Sequence, residues 1–333
     1  MKLGTSALVY LLFFSTICVI PFIASSVVID ILIFCILYAF LSTAWTIAVY
    51  AGPYSIGHAA YFGLGAYSTA LLYTRLGISP WIGILVGIAI SSSFALAISY
   101  PVFRYGIKGY YYTLTTLAVA EIMRTIFLSW DITGRAVGVW YPIVPDSLWH
   151  FQFHTSHAPY VFIGVAILIL GVFTANAIKK TRLGLAFSAT RDDEDTAQSV
   201  GINTLRHKLT AVAISAALTS IGGAFFAQYT LFIEPDTSMA MFVSVDILLP
   251  AVVGGVGTVL GPLIGSFLLT PLIWILRIAF GSEVLHLVIR GAVIIIVVLF
   301  APEGIVGTLS KHSSAGRKIF SITPSKPSSH VRH

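Results

Sequence analysis

Charge is what this 333-residue chain has least of: Asp, Glu, Lys and Arg make up 10% of it, against 57% hydrophobic residues and a mean hydropathy of +0.92. Apolar runs this long and this frequent exceed what one soluble core absorbs, since a membrane span needs only about 20 residues. The chain reads as an all-α polytopic membrane protein. Cysteine is nearly missing too. Cys18 and Cys35 both lie in apolar runs, with no CxxC and no metal-ligand spacing, so neither a metal site nor a redox compartment is indicated. There is no G-x-x-x-x-G-K-[ST] phosphate cradle, so the chain has no means of its own to hold ATP. No HExxH, GxSxG or paired catalytic carboxylates appear, and no residue is assigned a catalytic role. The net charge of +6 does not indicate nucleic-acid binding. The basic residues stand between and after apolar runs, where lipid headgroups and the cytoplasmic bias for positive charge account for them.

Ten candidate spans can be drawn, at residues 6–24, 27–50, 57–75, 81–100, 111–129, 158–178, 208–231, 243–256, 259–277 and 284–301, with eight to ten as the working range. The eighth is short and ends in glycines, so it reads either as a crossing or as a re-entrant half-helix. With a cytoplasmic N-terminus, the inside segments hold fourteen of the nineteen Lys and Arg, and the outside segments hold Arg75, Arg135 and Arg277. That asymmetry supports ten spans with both termini in the cytoplasm. Lys2, the apolar stretch after it and Ala24-Ser25-Ser26 also fit a cleaved signal peptide, although the apolar region is long for one. Residues 1–310 form the membrane domain. Residues 311–333 carry five basic and no acidic residues among Ser, Pro and Gly, and read as a disordered cytoplasmic tail suited to anionic lipid.

What the chain does have is one long polar island. Residues 179–208, KKTRLGLAFSATRDDEDTAQSVGINTLRHK, carry six basic and four acidic side chains between two apolar runs. Thr190 followed by Asp193, with Asp192 to Asp195 crowding a first turn, predicts a helix start there. Gly201 after Val200 supplies a left-handed residue to close it, which gives one helix of about three turns from Arg191 to Val200. Asp193, Thr196, Ala197 and Val200 then share a face with small side chains at its centre. Such a face suits close approach by another protein, and it equally suits a solvated loop helix.

The stretch TRLGLAFSATRDDEDTAQSVGIN resembles the cytoplasmic coupling loop of ABC importer permeases in the form carried by the branched-chain amino acid permease family, LivM-type. The likeness rests on Arg182, Gly184, Ala186, Ala189, Arg191, Glu194, Ala197, Gly201, Ile202 and Asn203. Leu185 stands where that family has a basic residue, Asp192-Asp193 where it has Glu-Asn, and Thr196 where it has Ala. Residues 52–72, 109–134, 254–265 and 300–307 are similar to further signatures of the same family, in the same order.

The resemblance implies an ABC importer permease fold with ATP and Mg held on partner subunits. Those partners are two ABC ATPases, a second permease of the LivH type and a periplasmic solute-binding protein, in a bacterial inner membrane. It gives Arg191, Asp192, Asp193, Glu194, Thr196, Ala197, Val200 and Gly201 the coupling role. ATP-driven closure would reach the spans through that helix acting as a lever. The implied substrates are leucine, isoleucine and valine, with urea, short amides or other amino acids as alternatives within the class. A path for polar substrate needs polar or small residues inside, and Ser55, His58, Tyr61, Thr113, Thr116 and Glu121 are the candidates. Each has a structural reading beside it: His58 as a packed or capping residue, and Glu121 as one half of a self-neutralising pair with Arg124. Arg290 with Glu283 and His286 reads as an interfacial group. An ion-coupled secondary transporter is the competing class, disfavoured because it needs unpaired ionisable groups near the midplane and no charged cytoplasmic helix.

Overall fold

The computed structural model describes residues 13–280, 291, 292, 295 and 304–307. The expected tenth span apart from residues 291, 292 and 295, the basic tail, and Arg290 with Glu283 and His286 lie outside the described residues. Among the described residues are the helices α1 (Phe13–Phe22), α2 (Ser26–Val49), α3 (His58–Leu76), α4 (Pro80–Arg104), α5 (Tyr110–Ser129), α6 (Ala158–Lys180), α7 (Arg182–Asp192), α8 (Glu194–Ser199), α9 (Thr204–Thr230), α10 (Pro235–Ser238), α11 (Met241–Gly254) and α12 (Gly261–Phe280). Strands β1 (Val139–Trp140) and β2 (Phe232–Ile233) pair antiparallel as a two-residue clasp.

Five segments are long and apolar enough to cross a membrane by length and composition: Ser26–Val49, Pro80–Arg104, Ala158–Lys180, Thr204–Thr230 and Pro235–Gly254. Helices also stand at the expected positions of α1, α3, α5 and α12, without reaching that threshold. For α3 the reason is its place in the bundle. From His58 to Tyr67 every residue is buried, so its polar groups meet protein and not lipid, and Thr69 and Thr74 return their hydroxyls to Gly65 O and Ala70 O at 3.0 and 2.8 Å.

The Gly-ended segment left open by the sequence runs from one end of the bundle to the other. Asp236, at the start of Pro235–Gly254, meets Arg124 of α5, whereas Gly257, just past its end, accepts from Lys179 in the polar island. The helix is interrupted at Met239 and Ala240, the latter extended (φ −64, ψ 151), so α11 itself keeps 14 residues, roughly 21 Å and short of the hydrocarbon core. The glycines after it serve packing. A Cβ on Gly254 would stand 1.7 Å from Gly261 O, and one on Gly265 1.9 Å from Pro250 O.

The core is organised around α2, α3 and α9. Phe40, Leu41, Ala44 and Ile47 of α2 pack with Val161, Leu168 and Val172 of α6 and with Ala211 and Phe225 of α9. On the other side of α9, α3 approaches at backbone distance. A Cβ on Gly65 would fall 2.1 Å from Ser220 O, and one on Gly223 1.9 Å from Phe62 O. Without a hydrophobic drive between helices in lipid, such close approach is what holds them together. Gly223→Ala is therefore expected to force α3 from α9 and cost about 1–3 kcal/mol. A lower melting temperature of the purified protein in detergent is the readout, and an unchanged one would show that the crossing tolerates the methyl.

Candidate functional site

The polar island folds as a corner on the bundle and not as one helix. α6 ends at Lys180, the chain turns at Thr181 in an extended conformation, and α7 begins at once. Gly184 permits this, because a Cβ there would lie 2.4 Å from Ile178 O. Phe187 is completely buried and meets the His207 ring at 6.0 Å, which anchors α7 to α9.

The break between α7 and α8 falls at Asp193, whose backbone is extended (φ −158, ψ 109). Its carboxylate caps α8, accepting from Asp195 N and Thr196 N at 3.0 Å each and from the Thr196 hydroxyl at 2.8 Å. The predicted start at Thr190 is thus corrected. Thr190 is buried inside α7 and returns its hydroxyl to Ala186 O at 2.8 Å, and Arg191 and Asp192 close α7 instead of opening the next helix. The acidic run carries its own cap, and an Asp able to take two backbone N–H groups outcompetes a Thr three residues earlier. The predicted close does stand: Gly201 is left-handed (φ +89), and Ile202 N donates back to Ala197 O at 3.0 Å.

The predicted face changes as well. Ala197 is 3% exposed, packed inside the chain, while Val200 is 72% and Leu185 of α7 also 72% exposed. Asp192, Asp193, Asp195 and Thr196 are open to solvent, and Arg191 lies along Asp192 with nitrogens 3.0 and 3.1 Å from its Oδ1. Glu194 turns inward to Lys208 at 2.5 Å and Lys108 at 3.2 Å. Burial pushes the Glu194 carboxyl up, but the two ammonium groups outweigh it and hold it below its usual value. The Thr196 amide and hydroxyl hold Asp193 low, and Asp195 with Glu194 pushes the Lys108 ammonium up.

Of the six expected path residues, the structure gathers four where the 51–57 turn crosses α5. Thr113 donates to Tyr54 O at 2.7 Å, Thr116 accepts from Ile56 N at 3.3 Å, Ser55 accepts from Gly57 N at 3.1 Å, and His58 Nε2 meets Ser215 Oγ at 2.8 Å. Tyr61 lies one turn on, its ring 5.3 Å from that of His58. Ser55, His58, Tyr61 and Thr116 are buried, and the partners named are groups of the chain itself. Glu121 stands apart from them. It is half-exposed on the free face of α5, in an open groove of about 890 Å³ lined by Ala118, Glu121, Ile122, Thr125, Ile126, Ser129 and Trp130. Arg124 grips Glu121 at 2.5 Å, as the i, i+3 spacing implies, and also reaches Asp236.

Sequence reasoning missed several partners. Asp236 is 112 residues from Arg124, and no local spacing announces it. Asp30 is likewise held by His157 and Tyr229, each at 2.7 Å, tying the starts of α2 and α6 to the end of α9. Arg135 sits in the left-handed region (φ 54), where a glycine would be unstrained, and pairs with Asp131 at 2.6 Å. Among the described residues no group of three or more His, Cys, Asp or Glu could hold a metal ion.

Residues 27–298 match the family described as the branched-chain amino acid transport system permease component. The chain belongs to that family. It is 26% identical over 309 residues to the high-affinity branched-chain amino acid transport system permease protein LivM of Salmonella typhimurium, covering 86% of this chain and 71% of that protein. The same figures hold for LivM of Escherichia coli. It is 29% identical over 166 residues to the autoinducer 2 import system permease protein LsrC of Salmonella paratyphi B, 47% of this chain and 45% of that one. No solved structure matches. This family member is a multi-pass membrane permease component, and the resemblance read from its motifs holds.

Two outcomes are expected at the island. Asp193→Ala should unlatch α8 alone, speeding amide exchange at residues 195 and 196 roughly fivefold with little change elsewhere; uniform acceleration along the chain would contradict a local cap. Because Asp193 and Glu194 are both held low, their contribution is present above the usual carboxylate range and is lost as pH falls through their depressed values. Proteolysis at the 193–206 segment should therefore stay slow at pH 7 and quicken only below the ordinary values of 3.8 and 4.5. Release already at pH 6 would contradict the pairing.

Proposed function

We propose that this permease component is one transmembrane subunit of an ATP-driven importer for branched-chain amino acids, with leucine, isoleucine and valine as substrates. Its ATP and Mg are held on two separate ABC ATPase chains, a second permease of the LivH type completes the membrane unit, and a periplasmic solute-binding protein delivers the substrate. The island faces the cytoplasm of a bacterial inner membrane, with both termini on that side. The observation that carries this reading is the α7–α8 corner: two short helices, α7 held to α9 by Phe187 and α8 capped by Asp193 with Ala197 buried, presenting Leu185 and Val200 outward among charges. Exposed apolar side chains set among charges on short helices that project from the bundle suit contact with a protein partner.

In this reading Arg191, Asp192, Asp193, Thr196 and Val200 meet an ATPase, with Leu185 added to them. Glu194, Ala197 and Gly201 shape the corner from within. The substrate route runs along the groove of α5 beside Glu121, with Ser55, His58, Tyr61, Thr113 and Thr116 setting the entry of that helix. The match to LsrC leaves a different small polar cargo as the alternative within the class.

Purifying the tagged chain gently from native membranes and identifying what accompanies it by mass spectrometry tests the assembly; an ABC ATPase and a second permease are expected, and recovery of the chain alone after crosslinking would overturn the reading. Leu185→Glu and Val200→Glu are expected to release the ATPase while leaving insertion intact, since each places a charge in an apolar contact. Ala197→Glu is the contrasting case, because its damage falls on the fold of the corner itself. Full ATPase recovery with both exposed variants would move the docking surface elsewhere.

A further inference from the structure

Glu194 occupies the first position of α8, where an acidic residue is expected to face outward, yet its side chain is only 17% exposed. Its oxygens are all engaged inside the chain. Oε2 lies 2.5 Å from Lys208 Nζ in the first turns of α9 and 3.2 Å from Lys108 Nζ, and Oε1 accepts from Thr204 Oγ1 at 3.2 Å. Gln198 of α8 donates to that same hydroxyl at 2.7 Å.

Each ammonium reaches a further element. Lys208 is itself 8% exposed, and its Nζ stands 5.4 Å from the Phe103 ring in the last turn of α4. Lys108 belongs to the turn between α4 and α5, two residues before α5 begins, and also bonds Asp195 Oδ1 at 3.2 Å. One carboxylate thus collects α8, the start of α9, the end of α4 and the entry of α5.

The turn it crosses would otherwise be compliant. Gly106 (φ +73) and Gly109 (φ +58) flank Lys108, and a Cβ on either would meet nothing. A push on α8 arriving through backbone alone would be absorbed there. A charged pin resists this, because withdrawing Glu194 leaves the buried Lys208 ammonium uncompensated, the costly state for an ion pair of this kind.

We propose that Glu194 is a positioning residue that locks α8 to α9 and to the entry of α5, so that displacement of α8 reaches both helices as one body. This rests on the reading that an ATPase moves α8, and it adds which groups carry the motion onward. It also gives Lys108, which no motif singled out, a role in the transmission.

Distances between paired spin labels test it in the complex purified with its partners, in a cysteine-free background, without nucleotide and with ATP and vanadate. One pair joins Ser199 of α8 to Tyr110 of α5, and the other joins Ser199 to Arg206 of α9. In the unsubstituted protein both distributions are expected to be narrow and equal in the two states. Lys108→Met should cost the Ser199–Tyr110 pair its narrow component while the Ser199–Arg206 pair and ATP hydrolysis remain. Glu194→Gln should broaden both pairs, and Lys108→Arg should keep both narrow. A Ser199–Tyr110 distribution that is unaffected by both disruptive variants, or that already differs between states in the unsubstituted protein, would overturn the proposal. Failure of the importer reading has a different signature, a purified complex without an ATPase. In that case the variant comparison still reports whether the pin exists, and its transmitting role falls.

Discussion

The arrangement depends on backbone approaching backbone where α3 crosses α9. At Gly65 and Gly223 there is no room for a methyl, with Ser220 O and Phe62 O each within about 2 Å of where a Cβ would be. Lipid supplies no hydrophobic drive between helices, so dispersion at such close contacts has to supply the association. The crossing fixes α3 in the interior, which lets α3 be polar. Ser68, Thr69 and Thr74 can then sit in it with their hydroxyls closed on carbonyls one turn back, and His58 with its Nε2 on Ser215. A polar helix in a membrane protein therefore does not by itself mark a substrate path.

Outside the Glu121–Arg124 pair of α5, the ion pairs and charged hydrogen bonds described above gather near the ends of the helices. There they work as ties between elements distant in sequence: Asp30 with His157 and Tyr229 at one end, and Glu194 with Lys108 and Lys208 at the other. The two clusters differ in kind. Asp30 gathers elements that already pack as neighbours in the core. Glu194 joins α8, a two-turn helix with little apolar surface of its own, to helices that cross the membrane, and so its contribution is to geometry more than to burial.

How far the sequence disclosed this follows the range of each interaction. Helices such as α2, α6 and α9 were legible because length and apolar content decide them, and their observed bounds fall within a few residues of the runs. Gly201 as a helix close was legible because a left-handed residue is a local demand. The start of α8 was misplaced by three residues, since Thr190 and Asp193 both suit a cap and only the corner at Gly184, packed on Ile178, decides between them. The inward turn of Ala197 and Glu194 was not legible at all. Helical periodicity says which residues share a face and nothing about which face meets the bundle. The family signatures carried further than any of these readings because their order along the chain is itself a long-range observation.

The face of α5 shows what such a permease cannot leave bare. Thr125 and Ser129 return their hydroxyls to carbonyls one turn back, at 2.9 and 3.1 Å, and so are tolerable against hydrocarbon. Glu121 is not. Arg124 serves both Glu121 and Asp236, so one guanidinium is shared between two carboxyl groups beside an apolar groove. A carboxylate at the centre of a lipid-facing helix costs roughly 2.5–3.5 kcal/mol even by the mildest scales. Burial among the chain's own helices would have relieved that cost, as it does for α3, but α5 leaves this face open. Glu121 therefore requires water or another protein chain over it.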